Sequence, residues 1–185
     1  LTGGTIKISS NANGIVSGQD VVLSGDVTVS SPDGVAINAR NGSDIFIHEG
    51  SKIEATGWSG LYAGGNITMM GEELEATATS STAIQAHNGD IQLYGNITAI
   101  AKENAIASDY GKVIVKGDLT AKTTNSKHFC VVGNNGVSLT GGTIKISSNA
   151  NGIVSGGDIA LSGNVTVESA KGVGINTRNN SDIIF

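Results

Sequence analysis

The chain has little of what usually stabilises a small globular domain: its 185 residues include one cysteine, one proline and 4 % aromatic side chains. The lone Cys130 excludes an intramolecular disulfide, and we expect its side chain simply to be packed in the interior. So few rings indicate a narrow core of stacked aliphatic side chains. No run of about 18 apolar residues occurs, so no segment is predicted to insert into a membrane. The net charge of −5, spread along the chain, argues against nucleic-acid binding.

Internal repetition is the most informative feature that the sequence does contain. Residues 1–47 return as residues 139–185 with 35 of 47 positions identical. A fixed period decides the fold class before any local pattern does. The long period of 138 residues divides further, because similar phrases start alternately 24 and 22 residues apart. These starts are Asp20, Asp44, Asn66, Asp90, Lys112, Gly136, Asp158 and Asp182. Residues 1–185 are therefore predicted to form one continuous stack of about eight coils of roughly 23 residues each.

Each coil contains three short segments in which apolar and polar residues alternate. In the second coil these segments contain Val21/Leu23, Val27/Val29 and Val35/Ile37. Alternation with period 2 is typical of strands that bury one face, and glycine, asparagine, aspartate and serine mark the corners. The pattern predicts an all-β fold, a three-sided, single-stranded parallel β-helix (β-solenoid). One predicted interior column contains Val21, Ile45, Ile67, Ile91, Val113, Val137, Ile159 and Ile183.

The chain begins and ends inside a repeat, which leads us to expect a fragment of a longer protein. The end coils of such a fragment would expose unpaired strand edges. End-to-end self-association of the fragment is therefore expected as a partner contact.

The coil length and the phrases DVVLSG, NITMMG, DIQLYG and DIALSG resemble the right-handed parallel β-helix of the pectate-lyase-like superfamily. They are also similar to the repeated tracts of bacterial surface adhesins and autotransporter stalks. The resemblance covers the whole chain. It implies a secreted or cell-surface protein of bacterial origin, but many functions share this fold.

An outward strip on the first strand of four consecutive coils is the first candidate site. It contains Phe46, His48, Met70, Gln92, Tyr94, Ile114 and Lys116. Exposed strips of rings and apolar groups usually mark a partner surface. A polysaccharide or another surface protein is the expected partner, and packing against a loop or a neighbouring repeat is the alternative.

Glu54 and Glu75 are the second candidate site, because they are predicted to lie in one outward column on adjacent coils, about 5 Å apart. Paired carboxylates at that distance suit a retaining glycosidase or Ca²⁺, and a solvated acidic patch is the simpler interpretation. The pectate-lyase resemblance implies calcium and a basic residue over the substrate, for which Lys52 is the local candidate. We expect no catalysis and no required cofactor, with Ca²⁺ as the alternative.

The corner that ends the longer coils repeats a pair of residues that usually contains asparagine. The pairs are Arg40-Asn41, His87-Asn88, Asn134-Asn135 and Arg178-Asn179. An asparagine ladder explains them, since asparagine tolerates left-handed backbone and bonds to its own turn. A spaced row of cations for an acidic polysaccharide is the alternative. Histidines His48, His87 and His128 occupy different coil positions, which argues against a shared metal site.

Near-identity between distant repeats favours a structural and interaction protein over an enzyme, because a stalk needs length whereas an enzyme needs one unique site. We therefore expect an adhesin-like stalk that also offers a binding surface. The alternatives are a carbohydrate-binding β-helix for acidic polysaccharide and, less favoured, a polysaccharide lyase or glycoside hydrolase.

Overall fold

The computed structural model describes residues 1–125 and 127–185, which form an all-β parallel solenoid of about eight coils. The described residues form twenty strands, and every pairing between them is parallel. In chain order the strands are β1 Thr5–Ser9, β2 Ile15–Ser17, β3 Val21–Leu23, β4 Asp26–Ala39, β5 Ile45–Ile47, β6 Lys52–Ala63, β7 Ile67–Met69, β8 Glu73–Ala78, β9 Ile84–Ala86, β10 Ile91–Ala101, β11 Ile106–Ser108, β12 Val113–Thr123, β13 Val131–Gly133, β14 Val137–Thr140, β15 Thr143–Ser148, β16 Ile153–Ser155, β17 Ile159–Leu161, β18 Asn164–Ser169, β19 Ile175–Thr177 and β20 Ile183–Ile184.

The strands form three faces. The first face contains β3, β5, β7, the starts of β10 and β12, β14, β17 and β20. The second face contains β1, the starts of β4 and β6, β8, the ends of β10 and β12, β15 and β18. The third face contains β2, the ends of β4 and β6, β9, β11, β13, β16 and β19. The predicted three-sided parallel solenoid is thereby confirmed.

The register of the first face confirms the predicted interior column. Cα partners run without a slip from Val21 through Ile45 and onward to Ile183. A slip by one residue would turn this whole column towards solvent, so the burial of aliphatic side chains fixes the register. The largest fully buried side chains are all isoleucine, leucine or methionine, as a narrow core requires.

Side-chain oxygens reinforce the corner where the third face turns into the first. The Oδ1 atom of Asp20 accepts a hydrogen bond from the backbone N–H of Asp44 at 2.9 Å, one coil further on. The same bond recurs from Asn66 to the Asp44 carboxylate, from Asp90 to Asn66 and from Lys112 to Asp90, at 2.6–2.8 Å. This polar ladder satisfies backbone donors between strands and helps to hold the coils that it joins at a fixed height on one another.

No helix among residues 1–125 and 127–185 is long and apolar enough to cross a bilayer.

Candidate functional site

The strip expected on the first face forms two neighbouring columns. One column contains Phe46, Thr68, Gln92 and Ile114. The other contains His48, Met70, Tyr94 and Lys116, which directly continue the paired strands. The structure therefore brings the seven residues of the strip onto one face, and adds Thr68 between Phe46 and Gln92.

The strip is shallow and carries a positive charge beside a ring. The Lys116 ammonium lies 5.5 Å from the centroid of the Tyr94 ring, which is within the range of a cation–π contact. Met70 is 47 % exposed, His48 and Lys116 are exposed, and Tyr94 is half-buried. The Met70 thioether thus lies open to solvent, and part of the Tyr94 ring is accessible beside it.

The two glutamates of the second candidate site lie side by side on the second face. Glu54 and Glu75 are direct Cα partners in β6 and β8, and both are exposed. They line an open groove of about 280 Å³. The other polar residues that line this groove are Asp26, Thr28, Lys52 and Glu73. The groove thus contains four carboxylates and one lysine, on a flat sheet surface.

The groove has the composition of an acidic surface patch. Among residues 1–125 and 127–185 no group of three or more histidine, cysteine, aspartate or glutamate side chains is arranged to hold a metal ion. Glu54 and Glu75 project from strands whose neighbours in the same column are Thr28 and Thr98. Water can therefore reach both carboxylates from the open side of the groove.

A cluster that sequence reasoning missed lies at the corner where the third face turns into the first. Its centre is Asp109, whose Oδ2 atom accepts hydrogen bonds from Gln85 Nε2 at 3.1 Å and lies 2.9 Å from His87 Nδ1. The Tyr110 ring meets the His87 ring edge to face, with 5.4 Å between the ring centroids and an interplanar angle of 85°. Four side chains from two successive coils thus form one connected group.

The row of cations, which is the alternative to the asparagine ladder at this corner, is interrupted by other residue types. Arg40, His87 and Arg178 do share one corner column, but Gly64 lies between the first two and Asp109 follows His87 directly. Arg178 lies over the Phe129 ring at 5.5 Å. His87 therefore pairs with a carboxylate and Arg178 with a ring, and the column offers no continuous positive surface.

The asparagines of this corner behave partly as expected. Asn41 and Asn179 adopt left-handed backbone, with φ of 58° and 56°. However, the amide groups of Asn134, Asn135 and Asn179 donate to carbonyl oxygens of the preceding coil and not to their own turn. The asparagines therefore link successive coils as well as shaping the corner.

The pattern of repeats contains a signal for the missed cluster. At the equivalent corner of the other shorter coils the chain has Gly18-Gln19, Gly64-Gly65 and Gly156-Gly157, whereas here it has Asp109-Tyr110. A carboxylate and a ring replace glycine and, in one coil, glutamine. A comparison of corners across coils would have identified this position as an exception to the repeat.

The histidines are distributed as the sequence predicts. His48 belongs to the first-face strip, His87 to the corner cluster, and His128 Nε2 lies 3.8 Å from Glu103 Oε1.

Comparison with known proteins adds no relative: no family model matches the chain, and neither a curated protein nor a solved structure is significantly similar to it.

Proposed function

We propose that the chain is a structural and interaction module of a secreted or cell-surface repeat protein, and that it acts as an adhesin-like stalk. The continuous register of the solenoid supports this proposal, together with the return of residues 1–47 as residues 139–185. Because one long repeat comprises six coils, each added repeat lengthens the rod by about 29 Å without any new type of contact. Length is the property that such a sequence can vary most easily.

The spacer role is tested by comparing the present chain with one in which residues 1–138 precede residues 1–185. Small-angle scattering should show a maximum dimension that is about 29 Å greater, with an unchanged cross-section. A larger cross-section, or a gain of less than half that length, would mean that the added coils fold back or stack differently. Either result would contradict the spacer role.

Placement at the cell surface has a separate test. An antibody against the folded chain should label intact source cells as strongly as permeabilised ones. Labelling that requires permeabilisation would contradict the proposed location.

A second candidate function is binding of an acidic polysaccharide along the first-face strip, with Ca²⁺ as a further requirement to be tested. The observation that favours it is the Lys116 ammonium beside the half-exposed Tyr94 ring, because a ring stacks on sugar C–H groups while a cation attracts a uronate. Polygalacturonate and alginate, each with calcium and with chelator, are suitable probes. Tyr94→Ala should abolish binding, whereas Thr98→Ala on the second face should not alter it. Undiminished binding by Tyr94→Ala would contradict this assignment.

We propose no cleavage step for the acidic groove. A glycosidase needs one sheltered carboxyl as proton donor, and Glu54 and Glu75 are both exposed. Release of reducing ends from the same two polysaccharides, lost in Glu54→Gln and Glu75→Gln, would overturn this view.

A further inference from the structure

We propose that Gln85, His87, Asp109 and Tyr110 form a binding site for a neutral pyranose residue of a glycan. This corner cluster lies where the third face turns into the first, whereas the first-face strip lies on the first face itself. Its proposed function does not depend on the spacer role. It would give the stalk a specific ligand at one height along the rod.

The cluster is unique in a chain that otherwise repeats. Its corner position holds glycine or glutamine in the other shorter coils, and a Cβ at Gly65 or Gly157 would lie 2.1 or 2.6 Å from the preceding coil. The outward column of the third face has Tyr62 before Gln85 and Ala107 and Val132 after it, so the amide is not repeated in the adjacent coils. A stalk has no structural need for a carboxylate, an imidazole and a ring at one corner.

The polar atoms of the cluster are oriented by hydrogen bonds among its own side chains. Asp109 Oδ2 accepts hydrogen bonds from both Gln85 Nε2 and His87 Nδ1, and these two donors fix the position of the carboxylate. When Nδ1 carries the proton towards the carboxylate, His87 Nε2 is left as an acceptor. Asp109 Oδ1, Gln85 Oε1 and His87 Nε2 then remain for a ligand. Three acceptors on neighbouring side chains match adjacent hydroxyl groups of a sugar, which are donors.

The cluster also presents an exposed ring on a rigid backbone. Tyr110 is 62 % exposed, yet Asn135 Nδ2 donates to its carbonyl oxygen at 2.6 Å. Asn134 Nδ2 donates to the carbonyl of Asp109, and the Gly111 N–H donates to Ser108 Oγ at 2.8 Å. The turn is thus held on both sides while its largest side chain faces solvent. Holding a ring in place before the ligand arrives lowers the entropic cost of binding.

The shape and charge of the cluster select the ligand class. The Tyr110 and His87 rings are perpendicular, so they form two walls of a corner and do not cover each other by stacking. The apolar face of a pyranose ring can lie on one wall while its hydroxyl groups reach Asp109. The negative charge of Asp109 repels the carboxylate of a uronate bound next to it. A neutral hexose or N-acetylhexosamine is therefore favoured over a uronate.

The test uses the folded chain with ¹³C-labelled tyrosine and histidine and a panel of methyl glycosides. The panel contains methyl glucoside, galactoside, mannoside and N-acetylglucosaminide, each titrated to 50 mM, with methyl galacturonide for comparison. At least one neutral glycoside should shift the Tyr110 and His87 ring resonances with saturation in the millimolar range. The galacturonide should bind at least tenfold more weakly.

Variants separate this site from the first-face strip. Tyr110→Ala and Asp109→Asn should each weaken binding at least tenfold, and Tyr110→Phe should stay within about threefold because it keeps the ring. Tyr94→Ala should leave the affinity unchanged. Dispersed methyl resonances in each variant confirm that it is folded.

Three results would overturn the proposal. They are the absence of ring shifts with every neutral glycoside, equal or tighter binding of the galacturonide, and full affinity in folded Tyr110→Ala. None of these affects the scattering test, so the corner site and the spacer role can fail separately.

Discussion

Cys130 illustrates how the narrow core limits the size of a side chain. It occupies a third-face corner column whose equivalent positions are otherwise alanine or glycine, among them Ala83 and Ala105. The thiol is fully buried, as the sequence predicts. Burial raises its pKa to about 12, because the thiolate would lose its hydration, and hydrogen bonds from Ser147 and Thr123 offset only part of this effect.

The first prediction follows from this raised pKa. An unfolded cysteine loses its proton near pH 8.5, so between that pH and about 12 the unfolded state gives up a proton that the folded state retains. Stability is therefore fully present below pH 8.5 and falls as pH rises towards the folded pKa. From pH 7 to 9.5 the native chain should lose about 1 kcal/mol more unfolding free energy than Cys130→Ala. Urea titrations of both proteins at the two pH values measure this difference, and equal losses would contradict it.

The second prediction concerns two glycines with left-handed backbone. Gly95 has φ of +116°, and a Cβ there would lie 2.5 Å from the Gly71 carbonyl oxygen, whereas at Gly42, with φ of +78°, a Cβ would meet nothing within 4 Å. Gly42→Ala should lower the free energy of unfolding by about 1–2 kcal/mol, because it introduces only backbone strain. Gly95→Ala should cost roughly 2 kcal/mol more, because backbone must move. Chemical denaturation measures both, and equal costs would show that the clash is relieved.

At the scale of the element, the polar ladder is what couples one turn to the next. Five first-face strands are preceded by a residue whose side-chain oxygen accepts the N–H of its counterpart in the following coil, namely Asp20, Asp44, Asn66, Asp90 and Asp158. Asparagine serves as well as aspartate at this position because both have an Oδ1 acceptor. The contribution comes from the acceptor and not from the charge.

The third prediction concerns Asp90 and separates the effect of its acceptor oxygen from the effect of its charge. Asp90→Ala removes the acceptor of the Lys112 N–H, which lies 2.7 Å away, and should lower the unfolding free energy by about 1 kcal/mol. Asp90→Asn, the matched control, retains the acceptor and should stay within about 0.5 kcal/mol of the native chain. A large loss in Asp90→Asn would assign the effect to charge.

The sequence predicts the contacts that recur from coil to coil, but it does not predict contacts that occur in one place only. The column from Val21 to Ile183 and the pairing of Glu54 with Glu75 follow from period-2 alternation and equal coil phrases, so both were predictable. The corner cluster was not found, because Asp109 and Tyr110 follow no period and their neighbour Gln85 comes from another coil. Contacts between different columns depend on the exact corner geometry, which alternation does not encode.

At the scale of the whole molecule, the inner coils differ from the outer ones because each inner coil packs against another coil on both sides. Apolar residues of the first and last coils, such as Ile15 and Ile175, are only partly buried, while Ile91 and Val113 are fully buried. In a one-dimensional stack, each coil is stabilised by its interfaces with the next. The outer coils of this chain therefore have one stabilising interface where the inner coils have two.

The fourth prediction is a gradient of amide exchange along the rod. Amides of β10 and β12 should exchange at least tenfold more slowly than those of β2 and β19. In the longer chain, where residues 1–138 precede residues 1–185, the second copy of β2 becomes internal and should gain that protection, although its sequence is unchanged. Equal exchange of the two copies of β2 would contradict stabilisation by neighbouring coils.

The direction of the strand-to-strand hydrogen bonds has a mechanical consequence. They run along the rod axis, so a force that pulls the two ends of the chain apart loads the bonds of one outermost coil at a time. Each coil that detaches replaces about 4.8 Å of rod with roughly 70 Å of extended chain. Such a chain would yield one coil at a time. In the proposed role as a stalk, this stepwise detachment would limit the peak load on a cell held in flowing liquid.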